Sequence, residues 1–425
     1  MSFARFGDGV SKTAIRVPSS EMLSKDPDLG HSRHRLAFIV SHPIQYYVPL
    51  YQRLARRGDL SIKVFFTWHD GSEARQDRGF GIPIVWDIPL NQGYDSEVVE
   101  NISADPGTHH FWGLRNPSLV DQVLAWRPTV THITGWAWRS HLHAIRSLAK
   151  AGQPTLFRGD SHLLNESRSS PRWWLKQALL KRVYSWPTAF LVTGQANYEY
   201  YRAFGVGPER LRICPHSVDC ERFQGPIHEA EAQRWRHELN IKDDQTVFLF
   251  AGKFDRNKEP IGFMKAILDL QDPNVVGILV GDGPLQAEIN LLAESKPDAF
   301  RILPFQNQSR MPTVYRLADA FVMPSHRETW GLAVNEALAC GRPVIVSNGV
   351  GCAPDVVDST CGQLYPAGDQ GRLTDALRNW SQDKGNLQSM RNAAVSRARL
   401  FDLPRTEASL MDAVESASHQ LITVP

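Results

Sequence analysis

The stretch VFLFAGKFDRNKEPIGFMKAILDL, residues 247–270, decides the fold. Its first six residues form a short apolar run that ends in glycine, and this pattern predicts a buried strand. Residues 260–270 have the length and apolar content of the helix that would follow. A strand, a polar loop and a helix in this order are typical of a βαβ unit in a parallel sheet.

The same alternation continues in both directions along the chain. Downstream, strands are predicted at 276–280, 300–303, 320–323 and 343–347, with a helix at 285–294. Upstream, strands are predicted at 36–41, 62–66, 129–133, 155–158, 189–193 and 210–214, with helices at 49–55, 138–150 and 173–184. The sequence therefore predicts an α/β protein with two Rossmann-like, doubly wound parallel sheets and a ligand cleft between their facing strand ends.

A chain of 425 residues is long enough for two such domains. Residues 218–245 are polar and lack a strand pattern, so we place the link between the domains there. The predicted division is a polar, disordered extension at 1–34, a first domain at 35–217, the link at 218–245, a second domain at 246–400 and a helical tail at 401–425. We expect this tail to pack back on the first domain.

The composition and charge of the chain limit the classes of binding partner and the cellular compartment that we expect. The 47 Lys and Arg against 45 Asp and Glu leave a net charge of +2, which argues against nucleic acid as a partner. Five cysteines without a CxxC pair suit a reducing cytoplasm and disfavour a zinc site. Because the chain lacks an apolar run of spanning length, only peripheral contact at the inner face of a membrane is left open.

One segment could provide that contact. Residues 172–182 are basic and aromatic and would suit a helix lying on a membrane surface. The alternative, which we favour, is a Rossmann helix that packs its tryptophans on the sheet.

Candidate site residues follow the first strand of the second half. Gly252 would let the backbone approach a ligand, and Lys253 and Lys258 could converge on phosphate oxygens. The alternative is that both lysines are solvated loop residues. A pair of lysines at a strand end is by itself a weak signal.

A second candidate group lies in the run 328–336. Glu328 follows a predicted strand, and a helix begins near Gly331, so the amides around Trp330 and Leu332 would offer donors and a positive dipole end to phosphate. Glu328 and Glu336 could accept hydrogen bonds from sugar and ribose hydroxyls. Glu328 could equally be an ordinary first-turn carboxylate, and Glu336 an exposed helix residue.

Taken in order along the chain, these elements resemble a known family. The motifs are Gly252 to Asp255 with Lys258, the turn at 281–284, and Glu328 to Glu336 followed by residues 339–345. They are similar to the signatures of the family 4 retaining glycosyltransferases (glycosyl transferases group 1), which have the GT-B fold. The similarity covers most of residues 246–370 closely and the first half more loosely.

The resemblance implies transfer of a sugar from a nucleotide diphosphate sugar, with retention at the anomeric carbon and with neither a metal nor a cofactor. Lys253 and Lys258 would bind the donor diphosphate and act with Glu328 as the catalytic residues. Glu336 would hold the ribose, and Glu328 would contact the transferred sugar. Donor binding would also use Gly252, Trp330, Gly331 and Leu332.

The first half should supply the acceptor side of the cleft. His42, Gln45 and Tyr46 follow the first strand, and the alternative for this segment is a helix entry with a buried tyrosine. Arg158 and Asp160 follow another strand. They could face the cleft, with Arg158 as a cation for phosphate and Asp160 as a hydrogen-bond acceptor for the substrate. The alternative is that they form a structural pair.

His132 stands where relatives carry the first of two histidines, but Thr134 takes the place of the second. The role that the second histidine has in the family is therefore in doubt for this chain. His132 itself is either a ligand contact or, slightly favoured, a core histidine.

We conclude from the sequence that the chain is a glycosyltransferase using a UDP- or GDP-sugar and a hydroxyl acceptor, which is a saccharide, a lipid-linked saccharide or a small molecule. This activity suits glycan, polysaccharide or glycolipid biosynthesis. The main alternative is a noncatalytic subunit that binds a nucleotide sugar. A nucleotide-sugar epimerase on the same architecture is less favoured because no acid and base pair is evident.

Overall fold

The structure is a computed structural model that describes residues 34–71, 75–76, 83–163 and 171–419. The polar extension predicted at 1–34 lies almost entirely outside the described residues. Within them, the chain from residue 34 onward forms two parallel sheets flanked by helices.

The first sheet has the strand order β5-β2-β1-β6-β7-β8-β9, and every pairing in it is parallel. Its strands are β1 (His34–Val40), β2 (Leu60–Phe66), β5 (Ser96–Val98), β6 (Val130–Thr134), β7 (Thr155–Arg158), β8 (Ala189–Val192) and β9 (Leu211–Ile213). Two short strands, β3 (Arg75–Gln76) and β4 (Pro83–Ile84), pair with each other in antiparallel fashion. The helices of this half are α1 (Val48–Ala55), α2 (Leu119–Ala125), α3 (Arg139–Lys150), α4 (Pro171–Val183) and α5 (Gln195–Ala203).

The second sheet has the order β12-β11-β10-β13-β14-β15, again with parallel pairings only. Its strands are β10 (Thr246–Ala251), β11 (Val275–Val280), β12 (Phe300–Leu303), β13 (Ala320–Met323), β14 (Val344–Ser347) and β15 (Gly362–Tyr365). The helices among them are α8 (Pro260–Leu270), α9 (Gln286–Glu294), α10 (Met311–Arg316), α11 (Leu332–Ala339) and α12 (Ala353–Val356).

Both sheets are covered by helices on both faces, as the continuous apolar strands require. In β10, Val247 and Leu249 pack into one core cluster, while Phe248 and Phe250 pack into the cluster on the opposite face. Each strand therefore contributes side chains to two cores. The predicted fold class, two doubly wound parallel sheets, is confirmed.

The strand order of each sheet reverses at one point. In the first sheet the reversal lies between β1 and β6, and in the second it lies between β10 and β13. Loops that leave neighbouring strands at such a point diverge to opposite faces and open a crevice at the carboxyl ends of the strands. The loops after β10 and β13 carry Lys258 and Glu328.

Residues 218–245, where we expected the link, contain two helices, α6 (Cys220–Phe223) and α7 (Ile227–Glu238). Phe223 and Ala232 are buried in a core cluster of the second sheet. The polar composition of this segment reflects the solvent-facing side of α7. A polar segment without a strand pattern thus folds as helices because one apolar side packs on the sheet.

The carboxyl-terminal part consists of α13 (Gln370–Gln382), α14 (Lys384–Ala398) and α15 (Leu403–His419). Helix α15 lies on the first sheet, where Leu410, Met411 and Val414 join the core cluster that contains Leu36. An ion pair of 2.7 Å between Arg57 Nη1 and Glu407 Oε1 links it to the end of α1. The last helix therefore ties the end of the chain to the first half.

Helix α4 contains most of the basic aromatic segment. Trp173 and Leu180 are buried, but Trp174, Leu175 and Leu179 are exposed. The interpretation that both tryptophans pack on the sheet is therefore correct for Trp173 and wrong for Trp174. No helix among the described residues has both the length and the apolar character needed to cross a membrane.

Candidate functional site

A cavity of about 290 Å³ lies at the carboxyl ends of the second sheet, between the two halves. We call it the donor cavity. The predicted donor residues that line it are Gly252, Lys253, Lys258, Glu328, Gly331, Leu332 and Glu336. From the predicted acceptor residues it is lined by Gln45 and Tyr46. The structure thus brings together residues that are almost 300 positions apart in sequence.

The loop after β10 is held by a neighbouring turn. Phe254 N donates to Asp282 O at 2.8 Å, and Gly252 N donates to Val280 O at 3.0 Å. Gly281 has φ +155°, and a Cβ there would lie 1.9 Å from Gly252 O. Glycine is therefore required at position 281, and its absent side chain lets the turn support the backbone that carries Lys253.

Lys258 is oriented by the loop in which it sits. Asp255 Oδ1 accepts from Lys258 N at 2.9 Å, and this bond closes a tight turn. Asn257 joins the loop to the one after β13, because its carbonyl accepts from His326 N at 2.8 Å and its Nδ2 donates to Arg327 O at 2.8 Å. As a result, Lys258 Nζ forms an ion pair with Glu328 Oε1 at the wall of the donor cavity.

Helix α11 begins at this wall. Gly331 caps it with φ 101°, and a Cβ at this position would lie 2.6 Å from Val350 Cγ1. The loop before the helix is anchored by Glu328 N, which donates to Gly349 O at 3.0 Å. Amides in the first turn of a helix have no partner within it, so Leu332 and Ala333 present donors and the positive dipole end to the cavity.

Glu336 lies one turn into α11, on the side that faces the cavity. Tyr315, at the end of α10, donates its hydroxyl hydrogen to Glu336 Oε2 at 2.7 Å. Burial raises the pKa of Glu336, whereas the Tyr315 hydrogen bond acts in the opposite direction. The alternative that Glu336 is an exposed helix residue is wrong, because Tyr315 covers one side of its carboxylate.

Trp330 is placed differently from the other predicted donor residues. Its side chain is buried and does not line the donor cavity. The indole Nε1 donates to Asn335 Oδ1 at 3.1 Å, and the ring lies 5.6 Å from the ring of His216. Trp330 therefore packs the loop against the first half.

The candidate residues of the segment after β1 lie in two different environments. Gln45 and Tyr46 face the donor cavity, whereas His42 points to the side. His42 Nδ1 lies 2.9 Å from Ser41 Oγ, and the ring stacks on His69 and meets Trp68 edge to face. His42 therefore belongs to an aromatic cluster next to the cavity and not to its lining.

Arg158 and Asp160 form a cluster with His216, whose ring contacts that of Tyr46; Arg158 and His216 are buried and Asp160 is partly exposed. Asp160 Oδ1 lies 3.1 Å from His216 Nε2 and 3.8 Å from Arg158 Nε. Burial by itself would raise the pKa of Asp160, but His216 and Arg158 outweigh it and lower the pKa to about 2. Asp160 is thus ionised, and the Tyr47 hydroxyl, 3.3 Å from His216 Nδ1, extends the network.

His132 is almost fully buried in β6, with its ring 5.1 Å from that of Phe38. Burial, reinforced by the positive charge of Arg158, lowers the pKa of His132 to about 3, so the imidazole is neutral at physiological pH. It does not line the donor cavity. This placement fits the core histidine that we slightly favoured.

Two contacts join the halves beside the cavity. His162 Nε2, in the loop after β7, donates to Glu328 O at 2.8 Å. Asp355, in α12, accepts from Gln195 N at the start of α5, at 3.0 and 3.1 Å. Burial raises the pKa of Asp355 to about 6. The backbone of Glu328 is therefore fixed from both halves.

Several residues of the cavity wall were not predicted from the sequence. Tyr315, Met311 and Phe305 come from β12 to α10, and Trp86 comes from the first half. None of these residues belongs to a recognisable motif. The role of Tyr315 is evident only from its hydrogen bond to Glu336. His216, which contacts Asp160, was not selected from the sequence either.

Comparison with family models gives one match. Residues 231–399 match the model described as Glycosyl transferases group 1. These residues are thus similar to a group 1 glycosyltransferase domain. The predicted resemblance is thereby confirmed for the half of the chain that supplies most of the donor cavity.

Characterised relatives point in the same direction. The chain is 32% identical over 227 residues to the D-inositol 3-phosphate glycosyltransferase of Actinosynnema mirum, covering 50% of this chain and 54% of that protein. It is 28% identical over 324 residues to the enzyme of the same name from Streptomyces bingchenggensis, covering 72% and 69%. The match therefore spans about half the length of the first of these relatives.

Solved structures agree on the fold over most of the chain. Anabaena HepE in complex with UDP and glucose superposes with a TM-score of 0.66 at 16% identity, covering 90% of this chain and 100% of that one. Sucrose-phosphate synthase from Thermosynechococcus elongatus superposes with a TM-score of 0.69 at 20% identity, covering 90% and 99%. At these identities the similarity establishes the GT-B fold and nothing beyond the fold.

Proposed function

We propose that this protein transfers a sugar from a nucleotide diphosphate sugar to a hydroxyl acceptor. The observation that carries the proposal is the donor cavity, where two lysines, a helix amino terminus and two carboxylates converge. Its volume of about 290 Å³ is at the lower end of small-molecule sites. Opening of the halves would enlarge it for entry of the donor.

The diphosphate would lie between Lys253, Lys258 and the first amides of α11. A diphosphate leaves readily only when its developing negative charge is stabilised, and preorganised cations and amides provide that stabilisation in a partly dry site. The two lysines supply positive charge where a metal ion would otherwise be needed. We accordingly propose that transfer requires neither a metal ion nor a cofactor.

Glu336 would accept hydrogen bonds from the ribose hydroxyls. The Tyr315 hydroxyl occupies one lone pair of its Oε2 and holds the carboxylate towards the cavity. The remaining oxygens can accept from two neighbouring hydroxyls, since an ionised carboxylate accepts up to about four hydrogen bonds.

Glu328 would contact the transferred sugar. Its side chain is held by Lys258, and its backbone by His162 and by Gly349. We propose that transfer retains the anomeric configuration, with the acceptor hydroxyl approaching on the face from which the diphosphate leaves. Gln45 and Tyr46 line the first-half wall of the cavity, where this hydroxyl would enter.

The proposal is tested by incubating the purified protein with UDP-, GDP-, ADP- and TDP-sugars and measuring released nucleotide. Because the relatives are D-inositol 3-phosphate glycosyltransferases and HepE is complexed with UDP, the first pair to test is UDP-glucose with inositol 3-phosphate. Binding of a nucleotide sugar without transfer or hydrolysis, for every donor tested, would instead favour the noncatalytic alternative. The stereochemistry is read from the anomeric proton coupling of the product, and a chelator tests the metal requirement.

A further inference from the structure

A second cavity, of about 430 Å³, lies at the opposite ends of the strands of the second sheet from the donor cavity. Asp319 and Arg342 line it just before β13 and β14, and Asp243 lines it just before β10. These positions place it at the amino ends of the strands. We call it the arginine cavity, and its charged lining includes Arg236, Arg316, Arg342, Arg391, Glu229 and Asp319.

The guanidinium groups outnumber the carboxylates that neutralise them. Glu229 is shared by Arg342, at 2.9 Å, and Arg316, at 3.4 Å. Asp319 is shared by Arg391, at 3.2 Å, and Arg236, at 3.7 Å. The third lining carboxylate, Asp243, is exposed at the rim. Four cations therefore face three anions, and only two of those anions contact them.

Two of these guanidinium groups have donors that are not used. Arg342 is almost fully buried, and its Nε has no hydrogen-bond partner among the described residues; the same holds for the buried Nε of Arg391. Burial, together with the nearby positive charge of Arg391, lowers the pKa of Arg342. Leaving a buried donor unsatisfied is unfavourable, and more so when the donor is charged, so such a site favours a bound anion.

The lining also defines the class of anion. Apart from Ala318, the lining residues have charged or polar side chains. Such a wall suits a small oxygen-rich ligand, and its only apolar and aromatic residues, Ala318 and the His237 imidazole, offer little surface to a nucleobase. Planar guanidinium groups match phosphate oxygens particularly well, since each can donate two parallel hydrogen bonds.

We propose that the arginine cavity binds a phosphate group, either as inorganic phosphate or as the phosphate of a small polar molecule such as a sugar phosphate. Arg342 and Arg391 contact the phosphate oxygens, and Arg236 and Arg316 surround it. This site is separate from the donor cavity and shares none of its lining residues.

Isothermal titration calorimetry with inorganic phosphate and, separately, with glucose 6-phosphate tests the proposal. Arg391→Gln should weaken binding of both about tenfold or more, the effect of losing one charge-assisted hydrogen bond. Tighter binding of glucose 6-phosphate would identify a sugar phosphate as the ligand, and equal binding would identify phosphate itself. Lys258→Gln, in the donor cavity, should leave both affinities unchanged.

Asp243→Asn provides a control that misfolding cannot mimic. Removing this exposed carboxylate from the rim should tighten phosphate binding about two- to fivefold, since it removes a repulsion of roughly 0.5–1 kcal/mol. The proposal is overturned if wild-type protein binds neither probe, if Arg391→Gln and Asp243→Asn both bind like wild type, or if only Lys258→Gln loses binding. The last result would place the anion in the donor cavity.

Discussion

Replacement of Lys258 by methionine tests the placement of the donor diphosphate. Methionine keeps much of the length and apolar stem of lysine but removes the ammonium group. In the folded protein this group pairs with Glu328 at the cavity wall, and the two side chains are only 21% and 17% exposed. Lys258→Met therefore removes a cation from the diphosphate site and leaves a carboxylate there without its partner.

The expected loss follows from these contacts. One charge-assisted hydrogen bond to phosphate contributes about 1.5–3 kcal/mol, which corresponds to a roughly 10- to 150-fold rise in the Kd for UDP. The unpaired Glu328 adds repulsion, so Lys258→Met/Glu328→Gln should bind UDP more tightly than Lys258→Met alone, by a coupling of about 0.5–1.5 kcal/mol.

Calorimetric titration with UDP measures both effects. Lys265→Met is the matched control, because Lys265 is exposed on α8 and outside the cavity lining. Circular dichroism melting curves confirm that the variants are folded. If Lys258→Met binds UDP within about twofold of the wild-type affinity, a difference of less than about 0.5 kcal/mol, the diphosphate does not lie against Lys258 and the donor assignment is wrong.

Three further predictions concern the same region. Tyr315→Phe should raise the Kd for UDP about two- to tenfold, by loss of one hydrogen bond to Glu336, with little change in thermal stability; unchanged affinity would separate Glu336 from the nucleotide. Gly331→Ala should lower the free energy of unfolding by about 1–3 kcal/mol in urea titrations, because φ is 101° and a Cβ would meet Val350; a stability equal to wild type would contradict that backbone. The pKa of Asp355 is raised by burial to about 6, so the folded state binds the proton more tightly than the unfolded state, and stability from this group is lost as pH rises from about 4 to 6. Asp355→Asn should reduce that loss by up to about 2–3 kcal/mol, and parallel pH profiles for both proteins would refute the assignment.

Much of the fold follows from local sequence patterns. The continuous apolar run at residues 247–250 predicted a buried strand, and both of its faces are buried because successive side chains of a strand point to opposite sides of the sheet. The strand β15 and the two helices of residues 218–245 were not predicted. The strand is short, and the helices carry only a few apolar residues among many polar ones, so their packing on the second sheet decided their structure.

The donor side of the candidate site was also predictable in outline. Gly252, Lys253, Lys258, Glu328, Gly331, Leu332 and Glu336 were selected from the sequence, and all of them line one cavity. They could be selected because all except Glu336, which lies one turn into α11, follow a strand or begin a helix, and the carboxyl ends of parallel strands meet at one edge of the sheet. Their roles in binding and catalysis stay predictions.

The first half was harder to interpret, because its motifs depart from the family pattern. His42, His132, Arg158 and Asp160 follow strands or lie in one, as Gln45 and Tyr46 do, yet only the last two reach the cavity. The direction of a side chain at a strand end depends on what packs beside it. The His42 ring packs against Trp68 and His69, and the Asp160 carboxylate contacts His216.

Local sequence was enough to predict the two sheets, their strand-end loops and most residues of the donor-side cavity wall, since these depend on periodicity and turn chemistry within short stretches of chain. The contact of Tyr315 with Glu336, the position of Trp330 outside the donor cavity and the capping of α5 by Asp355 became visible in the tertiary structure alone. The last contact joins residues 160 positions apart. Pairings of this kind depend on how helices settle on the sheets and how the halves meet, and no local pattern encodes that arrangement.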